Sequence, residues 1–324
     1  MEGGGSHGHA VVADDTGAVL GVGKISDSTN WEDVGIEAAG GAIKACVRWA
    51  LDAAEIHAET IDASVFSLAG VDFPVDSDLL GGIPMAIGLS RSVRIMNDAY
   101  SALRAGSDQP FGVVASAGTG SIVAGRNPEG EEFRTLGLGP MFGDSGSASE
   151  VSEAGVSAVA AAFTRRGPET ALSTSMCRAA GAQSVTEFLE GVARGRFDQA
   201  AYASLVVDAA EDGDGAAVGI LSDAGRSLGG TVAHVIRMLR MEHSAFDLVL
   251  AGGLFRNASA FVAGPLSEVV RPVAPRVTLA LLKEPPVIGA ALLALELAGT
   301  QPSPETRHEL SEGVLPAIGE PQHL

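Results

Sequence analysis

The chain has 324 residues, of which 46% are hydrophobic and 19% charged, and 40 acidic against 21 basic side chains give it a net charge of −19. That length exceeds one small core and suits two domains, and the apolar content excludes global disorder. The acidic excess argues against nucleic acid and anionic membrane as partners, so a phosphate bound here needs local backbone amides and a metal cation. The only cysteines, Cys46 and Cys177, lie far apart in the sequence. They exclude a disulfide framework and a four-cysteine zinc site within one chain, and fit a reducing compartment. No apolar run approaches the ~18 residues of a membrane span. No secretory leader pattern opens the chain either, and the expected location is the cytoplasm.

In chain order, the first feature is Glu2-Gly3-Gly4-Gly5-Ser6. Alone it reads as a linker or a tight strand start; its consecutive amides could equally close on a phosphate. A strand follows at His9 to Ala13, then an Asp-Asp-Thr-Gly turn and a strand at Val19 to Ile25. Ile36, Ile43, Val47, Leu51 and Ala54 recur at helical spacing and predict a helix over 33–55, with Cys46 and Trp49 assigned to its core. The strand "ASVFSLAG", a helix around Leu79 to Leu89, the short strand "VRIMN" and a helix from Asp98 come next.

At residues 117–125 the plan of the N-terminus repeats: a Gly-rich loop from Ala117 to Gly120, a strand from Ser121 to Gly125, an Asn-Pro-Glu-Gly turn and another strand. Two copies of loop-plus-hairpin predict two related domains, each offering a loop to a shared cleft. Beyond them Val218, Leu221, Leu228, Val232, Val235 and Leu239 predict a long helix ending near Arg240. The strand "FDLVLAGG", a helix near Ala260, the strand "VTLALL" and a helix from Ile288 to Leu297 complete the order. Alternating strands and helices imply an α/β fold with helices on the faces of mixed or parallel sheets. The expected domains are 1–109 and 110–299. The Pro-rich, polar stretch from Thr300 reads as a loose tail over 300–324.

Four clusters could carry chemistry, and a fifth, weaker signal follows them at Gly252-Gly253. Gly4, Gly5 and Ser6 in the first loop, and Gly118, Thr119, Gly120 and Ser121 in the second, could together hold a phosphate chain during phosphoryl transfer. Asn97-Asp98 closes a strand where ligands bind in open α/β sheets. There Asp98 is either a helix cap or a base for a substrate hydroxyl. "GLGPMFGDSGS" at 137–147 holds Asp144 in a helix-opening loop, where Asp144 or Ser145 could be the cap, and "AGGLFRN" ends a strand in Gly252-Gly253. His7 and His9 form an H-x-H pair without an evident third metal ligand. Neither a Walker loop nor a Rossmann fingerprint is present.

In this order the motifs resemble the BadF/BadG/BcrA/BcrD ATPase family, within the actin-like sugar kinase and Hsp70 superfamily, over nearly the whole chain to residue 299. The carriers are Glu2 to Gly8 as first phosphate motif, "STNW" at 28–31, "LAGVD" at 68–72, "NDA" at 97–99, "AGTGS" at 117–121, "GLGPMFGDSGS", "AGGLFRN" and "PPVIGAALLAL". The N-acetylglucosamine kinases look most similar. The resemblance implies two duplicated actin-like (ribonuclease H-like) domains and ATP-dependent phosphorylation of an amino sugar at its 6-hydroxyl, with Mg²⁺ held mainly by the ATP phosphates and Glu2 as a candidate ligand. It makes Asp98 the base and puts Gly4, Gly5, Ser6, Gly118, Thr119 and Gly120 on the phosphates. Gly252, Gly253 and Asn257 fall near the nucleoside. Asn30, Ser121, Asp144 and the Gly137-Leu138-Gly139 backbone fall to the sugar. A homodimer is compatible with it.

The sequence departs from the family pattern at His7 and Gly8, which replace a basic and a hydroxyl residue, at Leu138, which replaces Trp, and at Ser145, which replaces Glu. Family members also carry an apolar strand ahead of the first loop, whereas Met1 stands directly against it here. The expectation is that the native start lies upstream or that another element fills the gap. The superfamily also contains activators of 2-hydroxyacyl-CoA dehydratases and benzoyl-CoA reductases, which bridge a [4Fe–4S] cluster with two nearby cysteines per subunit; Cys46 and Cys177 do not fit that pattern. A glucosamine kinase and a non-catalytic sugar-binding regulator are compatible with the same motifs.

Overall fold

A computed structural model of the protein describes residues 1–89, 91–197 and 202–319. Two five-stranded sheets organise it. In the first, β1 (Glu2–Gly3), β2 (Gly8–Ala13), β3 (Val19–Ile25), β4 (Ala63–Leu68) and β5 (Ser92–Asn97) stand in the order β3-β2-β1-β4-β5. The second contains β6 (Gly112–Ala117), β7 (Ser121–Arg126), β8 (Glu132–Arg134), β9 (Phe246–Ala251) and β10 (Val277–Leu281), in the order β10-β9-β6-β7-β8. Numbered within each sheet, both read 3-2-1-4-5, so the loop-plus-hairpin repeat seen in the sequence belongs to a duplicated sheet topology.

The chain divides into two compact units: Met1–Val114 with Ala124–Gly130 and Leu282–Leu324, and Ala115–Val123 with Glu131–Leu281. This differs from the expected division at 109/110 and 299/300, because the C-terminal helices return to the first sheet. In the first unit α1 (Trp31–Val34) and α2 (Ile36–Ala54) replace the single helix expected over 33–55, separated by Gly35. Helix α2 lies on β2 and β3 and buries Ala39, Ile43, Cys46, Val47, Ala50 and Leu51. Trp49, expected in that core, is 52% exposed, because it lies off the stripe these residues define. Helices α3 (Pro74–Leu80), α4 (Gly82–Ile87) and α5 (Ala99–Gly106) complete the first half of the unit. The second unit carries α6 (Ala148–Phe163), α7 (Leu172–Ala180), α8 (Val185–Ala193), α9 (Tyr202–Glu211), α10 (Gly215–Met238) and α11 (Gly253–Val270). Helix α10 packs on α9 and α11 and is buried along Leu221, Leu228, Val232 and Ile236.

The expected loose tail is a helix over its described part; residues 320–324 lie outside the described residues. After α12 (Pro286–Leu297), α13 (Pro304–Ile318) begins at Ser303, whose hydroxyl accepts from the Thr306 amide at 3.2 Å. Leu310, Val314 and Ile318 bury against Val287, Ile288, Leu292 and Leu295 of α12 and against Val11, Val19 and Val22 of the sheet. Arg307 fastens the element. Its guanidinium donates to the carbonyls of Arg104 (2.7 Å), Ala105 (2.6 Å) and Ser107 at the end of α5, and to Glu284 at 3.0 Å. Arg307→Ala strips partners from that carboxylate and those carbonyls. It is expected to cost about 2–3 kcal/mol in urea unfolding.

Strand β1 is two residues long. It pairs antiparallel with β2 (Glu2 opposite His9) and parallel with β4 (Glu2 opposite Ser67). The Met1 ammonium, buried, donates to the Val65 carbonyl at 2.7 Å. Beyond it, between Val11–Ala13 of β2 and 63–65 of β4, a cavity of about 420 Å³ opens, lined also by Val47, Leu51, Val287 and Ala290. No described element fills this gap, and along it those strand edges have no ladder partner among the described residues.

Candidate active site

The first unit gathers its motifs around the ends of β1, β4 and β5. The first loop folds back on itself, the Gly4 amide donating to the His7 carbonyl at 3.0 Å. The Gly4 carbonyl accepts from both the Thr29 amide (3.0 Å) and the Thr29 hydroxyl (3.2 Å), which binds the "STNW" segment to the loop. Gly3 is forced by this contact: a Cβ there would lie 2.2 Å from Thr29 Oγ1. Asn30 caps α1 by accepting from the Glu32 amide at 3.1 Å, and its amide group donates to Asp33 at 3.0 Å. Gly5 and Ser6 sit at the exposed tip, where the Ser6 hydroxyl meets His7 Nδ1 at 2.9 Å.

Asp98 follows the last residue of β5 and precedes α5, yet its side chain makes no capping bond. Asn97 takes that part: its Oδ1 accepts from the Ala99 amide at 3.0 Å, while its Nδ2 donates to Asp72 at 3.0 Å. The Asp98 carboxyl is therefore not committed to capping the helix. Burial, then the charge of Glu2, then that of Asp72 raise its pKa from 3.8 to about 7. Glu2 is itself buried, and its Oε2 has no hydrogen-bond partner. His9 Nδ1 stands 3.6 Å away.

In the second unit the second loop is stitched to the start of α6. The Gly118 carbonyl accepts from the Ala148 amide at 2.9 Å, the Thr119 carbonyl from the Ser149 hydroxyl at 2.8 Å, and the Gly118 amide donates to the Gly120 carbonyl at 2.9 Å. Ser121 is buried with its hydroxyl unpartnered. Asp144 is buried as well and accepts from the Leu138 amide at 3.0 Å, so it braces the Gly137-Leu138-Gly139 backbone. The cap of α6 is neither Asp144 nor Ser145 but Ser147, in a reciprocal box with Glu150. Gly252 opens α11 with φ +95°, and a Cβ on it would approach the Ala117 carbonyl to 2.3 Å; Gly253 and Asn257 lie in the first turns of that helix. The site residues read from the sequence therefore form two groups, one in each unit. Sequence reasoning missed Thr29, Asp72 and Glu150 as residues that hold the others in place; the partners of Thr29 and Asp72 are set only by the fold, whereas the Ser147–Glu150 box is a local S-x-x-E signature that the sequence carries.

A duplicated mixed sheet of order 3-2-1-4-5, with glycine loops after the first strand of each copy and a carboxylate after β5, is the actin-like sugar kinase architecture. The chain belongs to the BadF/BadG/BcrA/BcrD ATPase family, whose model matches residues 1–294. It is 28% identical over 312 residues to the N-acetyl-D-glucosamine kinase of Dictyostelium discoideum, covering 91% of this chain and 96% of that protein. It is also 28% identical over 239 residues to the N-acetylmuramic acid/N-acetylglucosamine kinase of Clostridium acetobutylicum, covering 73% and 78% respectively. Among solved structures, a candidate N-acetylglucosamine kinase from Chromobacterium violaceum superposes with a TM-score of 0.64 at 20% identity, covering 92% of this chain and 96% of that one. A ROK family glucokinase from Streptomyces griseus, solved with glucose and AMPPNP, does so at 0.55 and 17%, covering 91% and 98%. These two support the fold.

Proposed function

We propose that this protein is an ATP-dependent amino-sugar kinase acting on the 6-hydroxyl of N-acetylglucosamine or a close relative. The observation that carries the reading is Asp98: an uncapping carboxylate at the end of a sheet strand, held near neutrality by burial and by Glu2 and Asp72. A base for a sugar alcohol works best with a pKa close to the operating pH. In this reading Asp98 takes the hydroxyl proton as the sugar oxygen attacks the γ-phosphorus and the bond to the ADP oxygen breaks. Asn30, Ser121, Asp144 and the 137–139 backbone orient the sugar, while Gly4, Gly5, Ser6, Gly118, Thr119 and Gly120 bind the ATP phosphates. Gly252, Gly253 and Asn257 take the nucleoside. Mg²⁺ would offset charge on the phosphates, and the unpartnered Glu2 oxygen is an acceptor suited to one of its bound waters.

The family and the two relatives support the sugar and nucleotide classes. Among the described residues no helix is long and apolar enough to cross a membrane, which is compatible with a cytoplasmic enzyme. The test is coupled ADP release with N-acetylglucosamine, glucosamine, N-acetylmuramic acid and glucose in turn. ADP release that requires an amino sugar, and yields its 6-phosphate by mass spectrometry, is the expected result. Release at one rate with and without every sugar overturns the reading.

A further inference from the structure

The H-x-H pair finds its third partner only through strand register. Glu2 on β1 stands directly opposite His9 on β2, so the two side chains leave the same face of the ladder. His7 lies two residues before His9, one period of an extended chain, and the two rings are 5.0 Å apart. One ligand atom from each of Glu2, His7 and His9 can be drawn such that all three lie within 4.8 Å of one another. Glu2 and His9 are buried, and Glu2 Oε2 is an ionisable oxygen without any hydrogen-bond partner, which is costly unless a cation meets it.

We propose that Glu2, His7 and His9 form a three-ligand site for a divalent transition cation of the Zn²⁺ class. Two imidazoles and one carboxylate are a donor set that Zn²⁺, Co²⁺ and Ni²⁺ accept and that Mg²⁺, which demands oxygen ligands, does not. With metal–ligand bonds of about 2.0–2.1 Å, tetrahedral ligand atoms sit roughly 3.4 Å apart, so the widest side of the present triangle closes by up to about 1.4 Å. His7 supplies that movement, since it lies on the loop and is only half-buried, whereas Glu2 and His9 are fixed by the ladder. The Ser6 hydroxyl at His7 Nδ1 leaves Nε2 for the metal. Such a cation would tie the first glycine loop to β1 and β2 and take up the Glu2 carboxylate, which then no longer serves a Mg²⁺-bound water.

The site is tested without nucleotide or sugar, so its outcome does not depend on the kinase reading. Chelator-stripped protein is titrated with ZnCl₂ by calorimetry in the presence of millimolar Mg²⁺, and with CoCl₂ by visible absorption. One equivalent of Zn²⁺ per chain is expected, with a Zn²⁺-dependent rise in Tm and intense Co²⁺ bands of a low-coordinate site. His7→Ala, on a partly exposed loop, is expected to fold normally by circular dichroism, to bind Zn²⁺ at least about tenfold more weakly and to lose the Co²⁺ bands. Absence of stoichiometric uptake, or a His7→Ala protein that binds as tightly as the parent, overturns the proposal.

Discussion

Asp98→Asn is expected to lower kcat for sugar phosphorylation by about a thousandfold, within the usual range for loss of a general base, and to leave the dissociation constant for the sugar within a fewfold. The amide keeps the shape of the carboxylate and removes only its ability to take a proton. In the parent the pH dependence follows from the sign of the perturbation. The carboxyl is protonated up to about pH 7, so kcat/KM should fall about tenfold per pH unit below 7 and level off above it. Glu2 and Asp72 are part of the cause. Asp72→Asn should therefore move that limb to lower pH. Stability has the opposite sign. A carboxyl whose folded pKa lies above its unfolded value adds nothing below 3.8 and destabilises progressively from there to about 7. The Asp98→Asn protein should consequently be more stable than the parent at pH 8, and stability traded for activity is what a functional carboxylate predicts. A variant that turns over at near-parental rate, with an unchanged pH limb, would remove Asp98 from the reaction.

The parts of the molecule legible in the sequence were those written in periodicity and turn chemistry. Strand β3 begins and ends where read, and β2, β4, β5, β7 and β9 fall within two residues of expectation, because short apolar runs bounded by Gly, Asp and Asn leave little freedom. Helix α13 escaped for a local reason. Its buried residues Thr306, Leu310, Val314 and Ile318 recur every four positions, but Pro302, Pro304 and Pro316 and a mostly charged exterior obscured the stripe. Trp49 was misplaced by hydrophobicity alone; the stripe through Ile43, Cys46 and Ala50 excluded it. Partnerships across strands were not legible at all. Glu2 joins His7 and His9 only because β1 pairs with β2 in one register, and a slip of one residue would send it to the other face. Likewise the bond from Asn97 to Asp72 joins the end of β5 to the turn that follows β4, which only the parallel β4–β5 ladder brings together.

Fusing three apolar, β-branched residues ahead of Met1 is expected to stabilise the first unit by about 2 kcal/mol at pH 8. Continuing the ladders puts the added residues opposite Val11, Val12 and Ala13 on β2 and Val65, Ser64 and Ala63 on β4. There they would enter the 420 Å³ cavity, whose walls are apolar on both faces. The second sheet shows the geometry is attainable, since β6 runs six residues in the position where β1 runs two. Three buried side chains at about 1.5–3 kcal/mol each outweigh ordering costs of about 1–2 kcal/mol per residue by only a small margin. At lower pH the Met1 ammonium matters more. Burial lowers the pKa of the Met1 amine from 8.0 to about 6. An amine whose folded pKa is depressed binds its proton in the unfolded chain first, so stability is lost as pH falls from 8 to 6, by about 3 kcal/mol in all. A peptide N–H donating to Val65 carries no such dependence. The difference in unfolding free energy between the extended and parent proteins, in which Asp98 cancels, should thus grow as pH drops from 8 to 6 and stay constant below. A Gly-Ser-Gly extension is the control: it abolishes the ammonium but brings no side chains to the walls, so it should reproduce the pH dependence without the gain at pH 8. Equal stability of the apolar and Gly-Ser-Gly extensions at pH 8 would mean that the cavity does not accept a strand.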